Sequence, residues 1–114
     1  MSHIKEKIEK YIRRRIYIIE DINGFKKIGL TKNIKSRVKN IRTNMVYPIK
    51  SVIYTDIIKD AFKIEKDLHK INWEMRTQGE WFLGKLNLLG INFNNSLEEV
   101  YFKASDWRYR YNAS

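Results

Sequence analysis

Glu65 and His69 stand four residues apart in a stretch with helical periodicity, so they lie one turn above each other on one face. A carboxylate and an imidazole so placed can share a proton, or hold a hard cation through the carboxylate. Both fall on the shoulder of the helix's apolar stripe, where a side chain can point into a cleft. In isolation, a surface Glu–His pair is the simpler reading. A second group is cationic. Lys35, Lys39 and Arg42 gather on one flank of an earlier helical stretch, and Arg37 lies on the other with Asn33, Asn40 and Asn44. Such a flank can bind phosphates or merely solvate a helix. A third group is Trp107-Arg108-Tyr109-Arg110-Tyr111. Its alternation suits either stacking on bases between phosphate contacts or an edge strand with rings inward.

Composition narrows the chemistry. The chain has 114 residues and no cysteine, which excludes disulfides, thiolate zinc sites and cysteine nucleophiles. Two histidines are too few for a multi-histidine zinc centre. The net charge of +10 is unevenly placed. Residues 1–50 carry 14 Lys and Arg against four acids, and residues 51–114 carry nine against nine. A polyanion is the natural partner, nucleic acid first and an anionic membrane second. The other reading is a basic surface kept for solubility. No apolar run reaches the ~20 residues of a membrane span. The first residues alternate apolar and charged side chains, unlike a secretory signal, so a cytoplasmic location is expected.

The elements that must position these groups follow from periodicity and turn chemistry. Residues 2–14 read as an amphipathic helix. Residues 15–20 and 25–30 read as two antiparallel strands joined by a tight turn at Asn23-Gly24. Thr31 or Asn33 caps a helix with Ile34, Val38 and Ile41 on its core stripe. That helix ends before Pro48, and residues 47–54 form a third strand. A second helix is expected from Thr55 to Trp73, with Ile57, Ala61, Ile64, Leu68 and Ile71 buried. Gly79 to Leu83 reads as a short buried strand or turn. Ser96-Leu97-Glu98-Glu99 has the spacing of a capping box, opening a short helix to about Ala104.

Several short motifs fall in a familiar order. Ile16-Tyr17 closes the first strand's opening, and Lys27-Ile28-Gly29 follows on the second. Thr31-Lys32-Asn33 and Arg37 fit a Thr-x-Asn-x-x-x-Arg pattern. Glu65-Lys66-Asp67-Leu68-His69 and Gly79-Glu80-Trp81-Phe82 come later. Over residues 15–83 the chain resembles the GIY-YIG endonuclease superfamily. It is most similar to a phage and bacterial branch with Lys-Ile-Gly in place of Tyr-Ile-Gly. Two positions depart from the superfamily pattern. Arg15 replaces the first glycine at a backbone position of a strand, and Lys27 replaces the second tyrosine, which changes the chemistry.

The resemblance implies an α/β (α+β) sandwich with a central three-stranded antiparallel sheet flanked by helices, and the patterns outside it add helical extensions at both ends. Length gives a single domain over residues 1–114, with the nuclease-like core at 15–83, an N-terminal helix at 1–14 and a C-terminal extension at 84–114. The resemblance also implies a small Mg²⁺- or Mn²⁺-dependent endonuclease acting on duplex or branched DNA. Tyr17, Lys27, Arg37 and His69 would be the catalytic residues, and Glu65 would hold the metal. Lys32, Lys35, Lys39 and Arg42 would contact nucleic acid. Arg37 and Lys27 can meet the charge that builds on the phosphate's free oxygens. Tyr17 is a poor base at an ordinary phenol pKa near 10; Lys27 on the partner strand is the cation expected to lower it, and if both side chains share one face Tyr17 would be the base or the group that orients the water. His69 would serve as a proton relay or as Glu65's partner. Two other readings remain open: a non-catalytic nucleic-acid-binding module on the same fold, and a basic phage or plasmid protein that binds an acidic protein.

Overall fold

The computed structural model describes residues 14–77 and 79–97. The element order is β1 (Arg15–Asp21), β2 (Phe25–Thr31), α1 (Ile34–Thr43), β3 (Ile49–Tyr54), α2 (Ala61–Ile71), β4 (Trp81–Leu83) and β5 (Asn95–Ser96). The strands form one antiparallel sheet in the order β4-β2-β1-β3-β5. The expected three strands are its centre, and two short strands extend its edges. Among the described residues, no helix is long and apolar enough to cross a membrane.

β1 is central because both its faces are covered. Ile16, Tyr17, Ile18 and Ile19 are all buried, so its sequence is a continuous apolar run and not an alternation. On one face, Tyr17, Ile19 and Val52 pack against Ile34 and Val38 of α1, with Met45 and Leu97. On the other, Ile16, Ile18 and Ile28 pack against Ala61 and Leu68 of α2, with Phe82. The two helices therefore clasp the sheet from opposite sides.

The β1–β2 loop spans three residues. Asp21 Oδ1 accepts from the N–H groups of Asn23 at 2.8 Å and Phe25 at 3.0 Å, and Gly24 supplies the positive φ, at 89°. Asn33 is the N-cap of α1, its side chain accepting from Ser36 N–H at 3.2 Å. Thr31 instead braces the cap, bonding both backbone groups of Asn33.

α2 begins six residues later than its periodicity suggests. The backbone of residues 55–58 is taken by β1 and the residue before it. Thr55 N–H donates to Ile16 O at 2.9 Å, Thr55 Oγ1 accepts from Ile16 N–H at 3.0 Å, and Ile58 N–H donates to Arg14 O at 2.9 Å. Ile57 is consequently exposed, and so is Ile71 at the other end. Asn72 stops the helix. It is fully buried, donates to Leu68 O and Asn87 O, and accepts from Asn87 N–H. Ser96 lies in β5, paired with Ile53. The helices expected at residues 2–14 and up to Ala104, and the Trp107–Tyr111 segment, fall outside the described residues, Arg14, Ser96 and Leu97 apart.

Candidate functional site

The site is built around a missing side chain. Tyr17 on β1 is directly opposite Gly29 on β2, so both lie on the α1 face of the sheet. A Cβ at Gly29 would fall onto the Tyr17 ring, nearest its hydroxyl. The phenol therefore crosses from the central strand and lies over β2. There the β2 ladder with β4 has already ended, because β4 pairs only with residues 25–27. The hydroxyl thus reaches a part of the sheet edge that elements from both layers can approach.

Three charged groups act on it there. Burial comes first and pushes the Tyr17 pKa up to about 12; Arg37 from α1 pulls it down, and Glu65 from α2 and Glu80 push it up. Lys27, the cation expected to lower this pKa, is not among the groups that act on it, and desolvation outweighs the Arg37 guanidinium. At neutral pH Tyr17 is a protonated hydrogen-bonding group. Arg37 is exposed, and among the described residues its guanidinium makes no ion pair.

Glu65 and His69 meet as their spacing suggests, His69 Nε2 lying 3.4 Å from Glu65 Oε1. The same nitrogen is 3.0 Å from the carbonyl oxygen of Ile28. A carbonyl can only accept, so Nε2 carries a proton and donates. The ring also packs edge-on to Phe82, with centroids 5.3 Å apart. His69 thus fastens α2 to the open part of β2 and sets the Glu65 carboxylate beside it. Burial raises the Glu65 pKa, His69 opposes that, and Glu80 adds to it.

Lys27 lies on the same sheet face as Tyr17, two residues along β2 from Gly29. Its ammonium pairs with Glu80 at 2.5 Å and lies 5.8 Å from the centroid of the Trp81 ring. The hydrogen bond from Lys27, and then its charge, hold the Glu80 carboxyl below the usual range. Glu80 was not among the expected site residues, although its Gly-Glu-Trp-Phe motif is plain in the sequence. Only the pairing of Lys27 with Trp81 across β2 and β4 brings the lysine and the motif together. Lys32, Lys35 and Lys39 are exposed at and along α1, and Arg42 is half-buried.

Among the described residues, no three His, Asp or Glu side chains cluster as a metal cage. Glu65 alone suits Mg²⁺, which binds through one or two carboxylates and keeps several waters.

No curated protein and no solved structure matches the chain significantly. The T5orf172 domain matches residues 14–103, which take in all five strands and both helices described above. By that match the chain belongs to the T5orf172 domain family, a phage-associated group related to endonucleases.

Proposed function

We propose that this protein is a small DNA endonuclease of GIY-YIG type that hydrolyses phosphodiester bonds with Mg²⁺ or Mn²⁺. The observation that carries the reading is the convergence of Tyr17, Arg37 and Glu65, from β1, α1 and α2, where the phenol crosses Gly29. Phosphodiester hydrolysis needs an oriented water and positive charge at the free phosphate oxygens. Arg37 supplies that charge from an exposed position. The Tyr17 hydroxyl, protonated at neutral pH, orients water or phosphate by hydrogen bonding and does not serve as a phenolate base. Glu65 would hold the metal, which when bound supplies Lewis acidity and a more acidic water. His69 keeps the Glu65 carboxylate in place. The basic face of α1, with Lys32, Lys35, Lys39 and Arg42, offers sequence-independent phosphate contacts.

The test is nicking of supercoiled plasmid in Mg²⁺, in Mn²⁺ and in EDTA, with wild type and Glu65→Ala. Cutting is expected in either metal and is expected to stop in EDTA and in the variant. Undiminished cutting by Glu65→Ala would overturn the metal assignment. One observation favours a second reading, a module that binds nucleic acid without cutting it. Lys27 stands where the superfamily has a tyrosine and is already paired with Glu80. That reading is supported if DNA affinity falls steeply with salt and no metal produces a nick.

A further inference from the structure

An open cleft of about 940 Å³ lies on the same face of the sheet as Tyr17, beyond Lys27. Its floor follows from register. Phe25 and Lys27 alternate with Gly29 along β2, and Trp81 stands opposite Lys27. Its far wall is the chain just after α1, where Asn44 and Tyr47 line it, and Thr77 closes one side. Phe25 and Trp81 are only half-buried and Tyr47 is 44% exposed. Three aromatic rings thus border a cleft and leave it open to solvent.

We propose that this cleft receives an unpaired nucleobase of the DNA strand, with a flanking phosphate at Lys27; the proposal rests on the nucleic-acid reading above. Three features select this occupant. Aromatic faces stack on any base, whatever its sequence. The Asn44 amide stands at the rim, and its carbonyl oxygen has no hydrogen-bond partner among the described residues, so it can meet a base edge. Lys27 joins the cleft to the Tyr17 site, giving one track from the hydroxyl to the rings; its ammonium, paired with the exposed Glu80 carboxylate in the free protein, exchanges that partner for the flanking phosphate when the strand binds. A base stacked inside a duplex cannot enter a cleft in the face of a sheet. The ligand must be a bulged, flipped or single-stranded nucleotide.

The experiment uses the full chain in EDTA, where binding is read without cleavage. Two duplexes of equal length are compared, one fully paired and one with a single bulged 2-aminopurine. The bulged duplex should bind about tenfold more tightly, the lower part of the range for one stacked base. Its 2-aminopurine emission should be quenched on binding. Tyr47→Ala should bring the ratio of the two affinities close to one, and Tyr47→Trp should restore it. Equal affinity for the two duplexes overturns the proposal, and so does quenching that survives Tyr47→Ala. A concentration-dependent dimer abolished by Tyr47→Ala would assign the cleft to a second copy and also overturn it. Plasmid nicking in Mg²⁺ is scored separately. Nicking without a bulge preference removes the cleft proposal alone, and a bulge preference without nicking removes the endonuclease reading alone.

Discussion

The phenol ring of Tyr17 occupies the volume that a side chain at position 29 would need. The glycine of Lys-Ile-Gly is therefore required by the tyrosine directly across the β1–β2 ladder, and the two signatures are halves of one packing arrangement. Gly29→Ala should force the ring off β2 and destabilise the fold by about 1–3 kcal/mol, as overpacking does. Tyr17→Leu in that background should recover part of the loss, because the obstructing ring is gone. Urea unfolding of the two single variants and the double variant measures the coupling. Additive losses would mean that ring and Cβ do not compete.

Tyr17→Phe removes only the hydroxyl and keeps the packed ring. Cleavage should fall sharply with little change in stability near neutral pH. The pH dependence has a definite sign. Burial raises the folded pKa to about 12, whereas an unfolded tyrosine titrates near 10. The folded state then holds more protons than the unfolded state between those values. The stabilisation is complete below about pH 10 and is lost as pH rises toward 12. The stability difference between wild type and Tyr17→Phe, followed by chemical unfolding from pH 8 to 11, should therefore shrink or reverse against wild type above pH 10. A cleavage profile rising with a pKa near 8 that vanishes in Tyr17→Phe would show instead that the phenolate is the base.

The sheet's centre was legible because its signals are local. Ile16 to Ile19 form a β run, Gly24 takes the turn, and Asn33 caps α1 with its own side chain. The same holds for Glu65 and His69, whose contact is written in a spacing of four. What was not legible depends on distant partners. Residues 55–60 carry a helical pattern, but Ile16 and Arg14 claim the backbone of Thr55 and Ile58. The protonation of Tyr17 depends on how deeply its strand is covered, which no motif states. Lys27 meets Glu80 only through a three-residue edge strand.

That pairing yields a further expectation. The Glu80 side chain is 73% exposed, so its ion pair with Lys27 is worth no more than about 1 kcal/mol. Its lowered pKa means that this small contribution is present above the usual carboxylate range and lost as pH falls through it. Glu80→Gln should leave the melting temperature nearly unchanged. It should tighten DNA binding, since it removes a negative charge and frees the Lys27 ammonium. Turnover should drop, because the lysine's long stem is no longer pinned beside Trp81. Weaker binding by Glu80→Gln would show that Lys27 needs its carboxylate partner in order to hold DNA.

Arg37 and the lysines of α1 should separate in kinetics. Arg37 is the cation that acts on the Tyr17 phenol, so in the proposed reaction its charge would lie where negative charge develops. Arg37→Ala should lower kcat much more than it raises KM. Lys35→Ala with Lys39→Ala should weaken binding for all sequences and reduce the salt slope by about two, one for each phosphate that is no longer neutralised. Equal kcat losses from both changes would make Arg37 one more phosphate-binding cation.

His69 can be tested by a replacement that keeps an N–H donor and removes the imidazole ring. Its Nε2–H donates to Ile28 O and lies within 3.4 Å of Glu65, so the contact seen is that of a donor. The primary amide of Gln also offers an N–H, on a side chain flexible enough to reach a backbone carbonyl. If His69 serves to fasten α2 to β2 and hold the Glu65 carboxylate, His69→Gln should retain a substantial part of the activity. His69→Ala should lose it and should also destabilise the fold, because it strips a donor from Ile28 O and a ring from Phe82. If His69 is a proton relay, both variants should be inactive, and His69→Gln should be inactive while folded. Plasmid nicking by the two variants, alongside their melting temperatures, decides between the roles. The donor geometry favours retained activity in His69→Gln.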